Sequence, residues 1–176
     1  VLAVDAMLHL PDFRSAEKTF QLMTQVSGRA GRHRLPGEVI IQTYTPEHYS
    51  VQLASQYDYE QFFLQEMEMR KIFHYPPYYF LTLITVSHPN QWKAQEVTKT
   101  ICKLLYKYLS DHATILGPTP SPMVRINNRY RYQCMVKYKD EPNQREIIRK
   151  IQEHYYDDIQ RHDLTIQVDF EPYSLM

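Results

Sequence analysis

Hydrophobic and polar positions alternate with two different periods along this chain of 176 residues. In the first part, the pattern predicts an apolar strand at Val1 to Val4, a helix over Ser15 to Arg32 and a strand over 38–44. Asp12, which follows a proline, supplies a possible N-cap ahead of the helix. Because strands and a helix alternate here, residues 1–46 are predicted to be the end of an α/β domain.

A helical stretch rich in aromatic residues follows over residues 47–75. Asp58 stands directly before the sequence YEQFFLQEMEMRKIF, where its carboxylate can accept a hydrogen bond from a backbone N–H of the first turn. We therefore expect a helix capped by Asp58 and, more generally, a helical connector between two folded units.

Strand and helix patterns alternate again over the remaining residues, 76–176. The predicted elements are, in order, strand 80–87, helix 91–109, a short strand 114–116, a proline-punctuated loop 117–122, strand 130–138, helix 144–156 and strand 164–170. This βαββαβ order is that of a ferredoxin-like sandwich, in which both helices lie on one face of a four-stranded sheet. The predicted fold is thus an α/β fragment followed by an α+β ferredoxin-like domain.

Composition narrows the classes of function. Twenty basic and twenty acidic residues cancel, so a nucleic-acid-binding role must come from a local patch and not from net charge. The longest apolar run, YYFLTLITV, is too short to cross a bilayer, and the opening VLAVDAML lacks the form of a signal peptide. We therefore expect the chain to begin in the middle of a domain. Its two cysteines are expected to be reduced thiols in the core of a cytosolic protein. Eight scattered histidines predict no metal site.

The most informative stretch is LMTQVSGRAGRHR, at the end of the first predicted helix. Successive residues of an α-helix turn by about 100° around its axis. Phe20 and Met23 would therefore face the domain interior. Gln25, Arg29 and Arg32 would fall on the opposite side and face outward.

Two glycines, Gly28 and Gly31, flank these arginines. Without a Cβ they would let a phosphate or a partner surface approach the backbone, although a frayed helix end with solvated arginines explains the same residues equally well. A guanidinium matches two phosphate oxygens and neutralises charge during phosphoryl transfer. Since no GxxxxGK[ST] phosphate loop occurs in the sequence, a phosphate-facing arginine pair implies a nucleotide held by another lobe.

The segment QVSGRAGR, residues 25–32, resembles motif VI of superfamily-2 helicases. In those proteins the second RecA-like lobe offers arginines to ATP held by the first lobe. Three stretches are similar to the primosomal replication-restart helicase family. They are residues 5–50 as a whole, FFLQEMEMRKIFHYPP at 62–77 and GPTPSPMVRINNRYRYQCMVKYK at 117–139. The resemblance covers essentially the whole chain and identifies residues 1–46 as the end of the second lobe.

That resemblance implies an ATP-driven 3′-to-5′ DNA helicase of the bacterial cytoplasm and nucleoid. Such an enzyme recognises stalled or repaired forks and starts the reloading of the replicative helicase. By the same resemblance, Gln25, Arg29 and Arg32 would couple to ATP, with Gly28 and Gly31 beside the nucleotide. ATP, Mg²⁺ and the family's zinc would be held upstream, so we expect no cofactor and no ATPase activity in this chain alone.

Alternation along the predicted strand 130–138 separates two faces. The side chains predicted to face inward are those of Tyr130, Tyr132, Cys134, Val136 and Tyr138. Five basic residues and no acid lie between positions 121 and 139, namely Arg125, Arg129, Arg131, Lys137 and Lys139. A basic stripe of this kind can neutralise the phosphates of forked or single-stranded DNA, whereas the alternative is a solvated sheet face.

The helix 144–156 presents Arg145 and Arg149 one turn apart, away from its isoleucines. An exposed arginine pair suits an acidic, carboxylate-ended peptide, although a solvated helix face is the simpler explanation. The family resemblance implies such a partner in the acidic tail of single-stranded DNA-binding protein. It also implies contacts with primosome and helicase-loading proteins, and no membrane partner is expected.

A ribosome-type nucleic-acid-binding or protein-docking module without motor function remains the alternative, on the βαββαβ order alone. That alternative leaves Arg29 and Arg32 without a role. The sequence upstream of Val1 would distinguish the two, because a helicase requires a phosphate loop there.

Overall fold

The structure is a computed structural model that describes residues 4–30 and 38–175. The chain divides into two compact units, the first ending at Phe73 and the second beginning at His74. Both cysteines are free and buried in the second unit, as expected. Each unit is built around a hydrophobic core of its own.

Helices make up the regular structure of the described part of the first unit. They are α1 (Asp5–Leu8), α2 (Ser15–Ser27), α3 (Tyr49–Ser55) and α4 (Tyr59–Ile72). Their buried side chains, among them Phe20, Met23 and Phe62, form one core, in which the Phe20 and Phe62 rings stack with centroids 4.1 Å apart. The helices expected to form a connector over residues 47–75 thus pack against α2 in this unit.

The predicted strand over 38–44 is wrong, because the described residues of this segment have no regular secondary structure. The carboxylate of Asp5 holds the segment instead: it accepts hydrogen bonds from Thr43 Oγ1 at 2.8 Å and from the backbone N–H of Tyr44 at 3.0 Å. A strand needs a neighbour to pair with, and a side chain supplies the partner here. Of the predicted strand Val1 to Val4, only Val4 lies within the described residues, and it is part of a turn.

Helix boundaries follow the capping signals in part. Asp58 caps α4 as predicted, accepting a hydrogen bond from Gln61 N at 3.0 Å. Asp12 accepts one from Arg14 N at 3.0 Å, so it closes the turn before α2 and is not the N-cap itself. The α-helix α2 ends at Ser27 and not at Arg32, because Gly28 lowers the helix propensity and the chain continues as a tight turn.

The second unit contains four strands and three helices among its described residues. They are β1 (Phe80–His88), α5 (Gln91–Tyr108), β2 (Thr114–Ile126), β3 (Arg129–Tyr138), α6 (Gln144–His154), α7 (Tyr156–Arg161) and β4 (Thr165–Phe170). The sheet is antiparallel with the strand order β2-β3-β1-β4. Side chains from α5 and α6 share one core with β1 and β3, including Ile101, Leu105, Ile148, Ile84 and Val136.

Two predicted boundaries in this unit need correction. The predicted loop over 117–122 lies inside β2, with register shifts that mark bulges on either side of Thr119 and Pro120. Prolines are tolerated there because β2 is an edge strand, where a missing N–H costs no ladder hydrogen bond. The predicted helix 144–156 ends at His154, and the short helix α7 follows after Tyr155.

Candidate functional site

The C-terminal end of α2 carries the described part of the segment that resembles motif VI. Phe20 and Met23 are buried on one side of this helix, whereas Gln25, Gly28 and Arg29 are exposed. The amphipathic pattern therefore predicted these faces correctly. Lys18 of the same helix is half-buried, and its Nζ atom lies 2.7 Å from Asp12 Oδ2.

Arg29 is held near the helix end by backbone hydrogen bonds. Gly28 N donates to Thr24 O at 2.9 Å, and Arg29 N donates to Val26 O at 3.1 Å. These bonds continue the helical path beyond Ser27 and leave the Arg29 guanidinium at the surface. Gly31 and Arg32 lie outside the described residues, so the arginine pair remains a prediction from sequence.

A buried ionic network joins α2 to α4 behind this surface. Arg70 donates from Nε to Glu66 Oε1 at 2.7 Å and from Nη2 to Glu17 Oε2 at 2.6 Å. Tyr49 Oη donates to the other Glu66 oxygen at 2.6 Å. Burial and the Glu66 carboxylate raise the pKa of Tyr49 well above its usual range. Burial lowers the pKa of Arg70, but its hydrogen bonds to Glu66 and Glu17 outweigh burial and raise it.

Asp5 anchors residues 43–45 in the same unit. Burial by itself would raise the pKa of Asp5, but hydrogen bonds from Thr43, Tyr44 and Thr45 outweigh it and lower the pKa below the usual value. The carboxylate accepts only, so it can satisfy several donors at once. This anchor ties the chain after the motif VI segment to α1, the helix that precedes α2.

The inward face of β3 agrees with the alternation of its sequence. Tyr132, Cys134 and Val136 are buried, and Cys134 and Val136 belong to the core beneath α5 and α6. Gln91 Nε2 donates to the Tyr132 hydroxyl at 3.0 Å. These residues pack as predicted and are not available for stacking on bases.

The outward face of β3 is not a uniformly solvated basic stripe. Lys137 is only 6% exposed, and its Nζ lies 3.5 Å from the centroid of the Tyr75 ring. Burial lowers the pKa of Lys137 to about 8. Arg129 is half-buried and donates to Ser87 O, to Asp163 O and to Thr165 Oγ1. Both residues thus form part of the fold, which corrects the expectation that they project freely.

Two of the five predicted basic residues are exposed, and a third is half-buried without a side-chain hydrogen bond or ion pair among the described residues. Arg125 is exposed and packs its guanidinium over the Tyr130 ring, 5.1 Å from the centroid. Arg131 is half-buried. Lys139 is exposed, with Nζ 4.9 Å from the centroid of the Tyr79 ring. These three side chains are the part of the predicted stripe that a phosphate could reach.

Arg145 and Arg149 have different surroundings, although both project from α6. The Arg145 guanidinium lies 4.7 Å from the centroid of the Phe170 ring. Arg149 pairs with Glu153 at 2.9 Å, and its side chain is 65% exposed. The structure therefore separates the predicted pair into a residue at a cavity and a solvated ion pair.

The cavity beside Arg145 has a volume of about 380 Å³. Phe80, Tyr138 and Phe170 supply aromatic walls. Lys139 and Arg145 supply positive charge, and the acidic residues Asp140, Glu141 and Glu171 also line the cavity. Gln144, a lining residue, is 2% exposed, and its Nε2 has no hydrogen-bond partner within the described structure. We name these residues the Arg145 cavity. Sequence reasoning missed Gln144 and Phe170, because no local pattern links them to Arg145.

Within residues 4–30 and 38–175, no cluster of three or more His, Cys, Asp or Glu side chains is arranged to hold a metal ion. No helix in the same ranges is both long and apolar enough to span a membrane.

The described part of the chain has a mixed α/β fold with a four-stranded antiparallel sheet. The family described as the primosomal protein N C-terminal domain matches residues 71–173. The chain belongs to this family of PriA replication restart proteins.

Relatives that carry the same name extend the match to the whole chain. The replication restart protein PriA of Bacillus subtilis is 53% identical over 176 residues, which are 100% of this chain and 22% of that protein. PriA of Synechocystis sp. is 44% identical over 138 residues, 78% of this chain and 17% of that protein. PriA of Chlamydia pneumoniae is 36% identical over 139 residues, 78% and 18% respectively. The chain thus spans about a fifth of the length of these curated relatives.

Proposed function

We propose that this chain is part of an ATP-dependent 3′-to-5′ DNA helicase that acts in replication restart, and that it supplies the arginines of motif VI. The observation that carries the proposal is the exposure of Gln25 and Arg29 at the end of a helix whose other side is buried. An arginine presented in this way can neutralise charge on a phosphoryl group held by a second lobe. Membership of the PriA family supports the same role.

In this proposal the nucleotide and its Mg²⁺ are bound mainly outside the chain. The described residues offer Gln25 and Arg29, but the sequence contains no phosphate loop. Residues 1–46 would be the end of the second RecA-like lobe, and zinc would belong to another part of the full-length protein. A replication restart role further implies a cytoplasmic, nucleoid-associated protein.

The second unit we infer to be a ferredoxin-like domain that binds DNA. Two observations support that fold. The antiparallel strands have the order β2-β3-β1-β4, and α5 and α6 share one hydrophobic core with the sheet. The accessible residues Arg125, Arg131 and Lys139 would contact phosphates of forked or single-stranded DNA. Arg129 and Lys137 would stabilise the strand that carries them.

The Arg145 cavity supports a second function for this unit, the binding of an acidic, carboxylate-ended peptide. Lys139 and Arg145 can pair with a carboxylate, the Nε2 of Gln144 can donate to it, and the aromatic walls can pack against an apolar terminal side chain. We propose the acidic tail of single-stranded DNA-binding protein as this peptide. Primosome and helicase-loading proteins would be further partners of the assembled helicase.

The motor proposal is tested by ATP hydrolysis in the intact replication restart protein. Arg29→Ala should remove most fork-stimulated ATP hydrolysis. Arg14→Ala, at the residue that directly precedes α2, should not. Retention of full turnover by the Arg29 variant would refute the assignment of the motif. A helix end that is merely solvated would give that result.

A further inference from the structure

A groove runs between α5 and α6. It has a volume of about 430 Å³. Its apolar lining comes from Leu104 and Tyr108 of α5 and from Ile147 and Ile151 of α6. Tyr108 is 56% exposed, and Leu104 and Ile147 are only partly buried. We name these four residues and their surroundings the α5–α6 groove.

The rim of the α5–α6 groove is basic. Lys150 and His154 line it, and no acidic side chain is among the described residues that do so. On α5, the exposed Lys103 and Lys107 immediately precede Leu104 and Tyr108. The stretch 97–110 contains three lysines and no acid. Glu96, one turn before the lining residue Thr100, offsets one of these three charges, so the α5 side of the groove remains positive.

The acids of α6 pair with basic side chains of the same helix, one of which lines the groove. Glu146 pairs with Lys150 at 2.7 Å, and Glu153 pairs with Arg149 at 2.9 Å. Glu146 is about one third of a turn from the row of residues 147 and 151, as Lys103 is from the row of Leu104 and Tyr108, so it offsets the charge of Lys150 at the groove. These pairs partly offset the charge of α6 but leave that of Lys103 and Lys107.

We propose that the α5–α6 groove binds an acidic amphipathic helix of a partner protein. A groove between two helices accommodates the side-chain ridge of a third, and the apolar positions of such a helix recur at the spacing of one turn. Glutamates and aspartates beside those positions would reach Lys103, Lys107 and Lys150. Charge complementarity thus selects a partner of opposite sign.

The aliphatic floor favours a protein over a nucleic acid. Single strands bind to aromatic platforms on which bases stack, whereas Leu104, Ile147 and Ile151 form most of this floor. Among the residues that line the described groove, only Tyr108 and His154 carry aromatic rings. The α5–α6 groove also shares no lining residue with the Arg145 cavity, so the two sites can be tested separately.

The test uses the 176-residue chain and a synthetic acidic helix. The probe is a fluorescein-labelled peptide of about four turns, with leucines at the spacing of one turn and glutamates elsewhere. We expect binding by anisotropy and amide shifts in the nuclear magnetic resonance spectrum at Thr100, Leu104, Ile147 and Ile151. A peptide with lysine in place of glutamate should bind at least about tenfold more weakly.

Two variants examine the charge and the floor separately. Lys103→Glu with Lys107→Glu should weaken binding by about tenfold or more, and Tyr108→Ala should weaken it several-fold. The matched control, Lys71→Glu with Arg161→Glu, makes the same change in net charge at exposed positions outside the groove. Thermal melting verifies that each variant is folded.

Several outcomes would overturn the proposal. One is the absence of binding by the acidic peptide, and another is binding that survives the Lys103 and Lys107 changes but is lost in Arg145→Glu. A third is the finding that an oligothymidylate of about 20 nucleotides shifts the amide resonances of the groove residues more strongly than the peptide does. Dimerisation of the chain through Tyr108, seen by sedimentation, would assign the groove to a second copy instead.

Discussion

Arg70 on α4 reaches Glu17 on α2 with its Nη2 atom 2.6 Å from Glu17 Oε2, although 53 residues separate them in the sequence. The same guanidinium also binds Glu66, one turn earlier on its own helix. Because α2 ends in the proposed motif VI residues, this contact positions the base of the helix that presents Arg29. The link between the two helices depends on charges that are largely withdrawn from solvent.

Removal of the Arg70 guanidinium should destabilise the first unit. Arg70→Met leaves the buried Glu66 carboxylate without its cationic partner, and we expect a loss of about 2–4 kcal/mol in the free energy of unfolding. Arg149→Met removes an ion pair whose two side chains are more than half exposed, so its cost should be below about 1 kcal/mol. Urea unfolding followed by circular dichroism compares the two. Equal, small effects would show that the network adds little.

The arginines proposed for motif VI should matter for hydrolysis and little for DNA affinity. In the intact replication restart protein, Arg32→Ala should slow DNA-stimulated ATP hydrolysis by about a thousandfold or more, because under the proposed function it removes a contact made in the transition state. The isolated chain should show no hydrolysis. Turnover that co-purifies with the chain and disappears when it is mutated, or a near-normal rate for the Arg32 variant, would contradict these expectations.

Arg145 and Arg149 should contribute unequally to binding of the acidic tail. Arg145→Glu should weaken the binding of a tail peptide by about tenfold, since charge-assisted hydrogen bonds contribute on the order of 1.5–3 kcal/mol. Arg149→Glu makes the same charge change outside the Arg145 cavity, and it should have an effect of about twofold or less. Titration by fluorescence anisotropy measures both in the intact helicase. Equal losses would mean that the general charge of α6 is responsible.

Gln144 provides an independent check on the same peptide. Its buried Nε2 would gain a hydrogen-bond partner from the bound carboxylate. Gln144→Glu would place a negative charge there and should reduce binding as strongly as Arg145→Glu. A Gln144→Leu variant of similar volume should keep the fold, which melting would verify.

The basic residues near β3 should divide into DNA-contacting and fold-stabilising groups. Replacing Arg125, Arg131 and Lys139 with Gln should lower fork affinity and flatten the slope of log affinity against log salt by about 2–3 units. Arg129→Gln should instead lower the melting temperature, because it leaves Ser87 O and Asp163 O without their donor. A wild-type salt slope in the triple variant would exclude this surface as a DNA-contacting one.

The sequence by itself determined the faces of several elements, because alternation and helical spacing are local properties of the backbone. Phe20 and Met23 of α2 are buried as their spacing predicts, and so are Cys134 and Val136 of β3. Asp58 caps α4 because an N-cap requires only neighbouring residues.

Tertiary structure alone decided which outward-facing groups remain accessible. Lys137 alternates correctly with its neighbours, but Tyr75 from a distant segment covers it. The prolines of 117–122 signal a loop, yet an edge position in the sheet lets them continue β2. The Arg145 cavity likewise joins Gln144 to Phe170, residues from two elements that only packing brings together. Local sequence patterns determine which side of its element a residue faces. Whether that side is buried or exposed depends on packing with residues that are far away in the sequence.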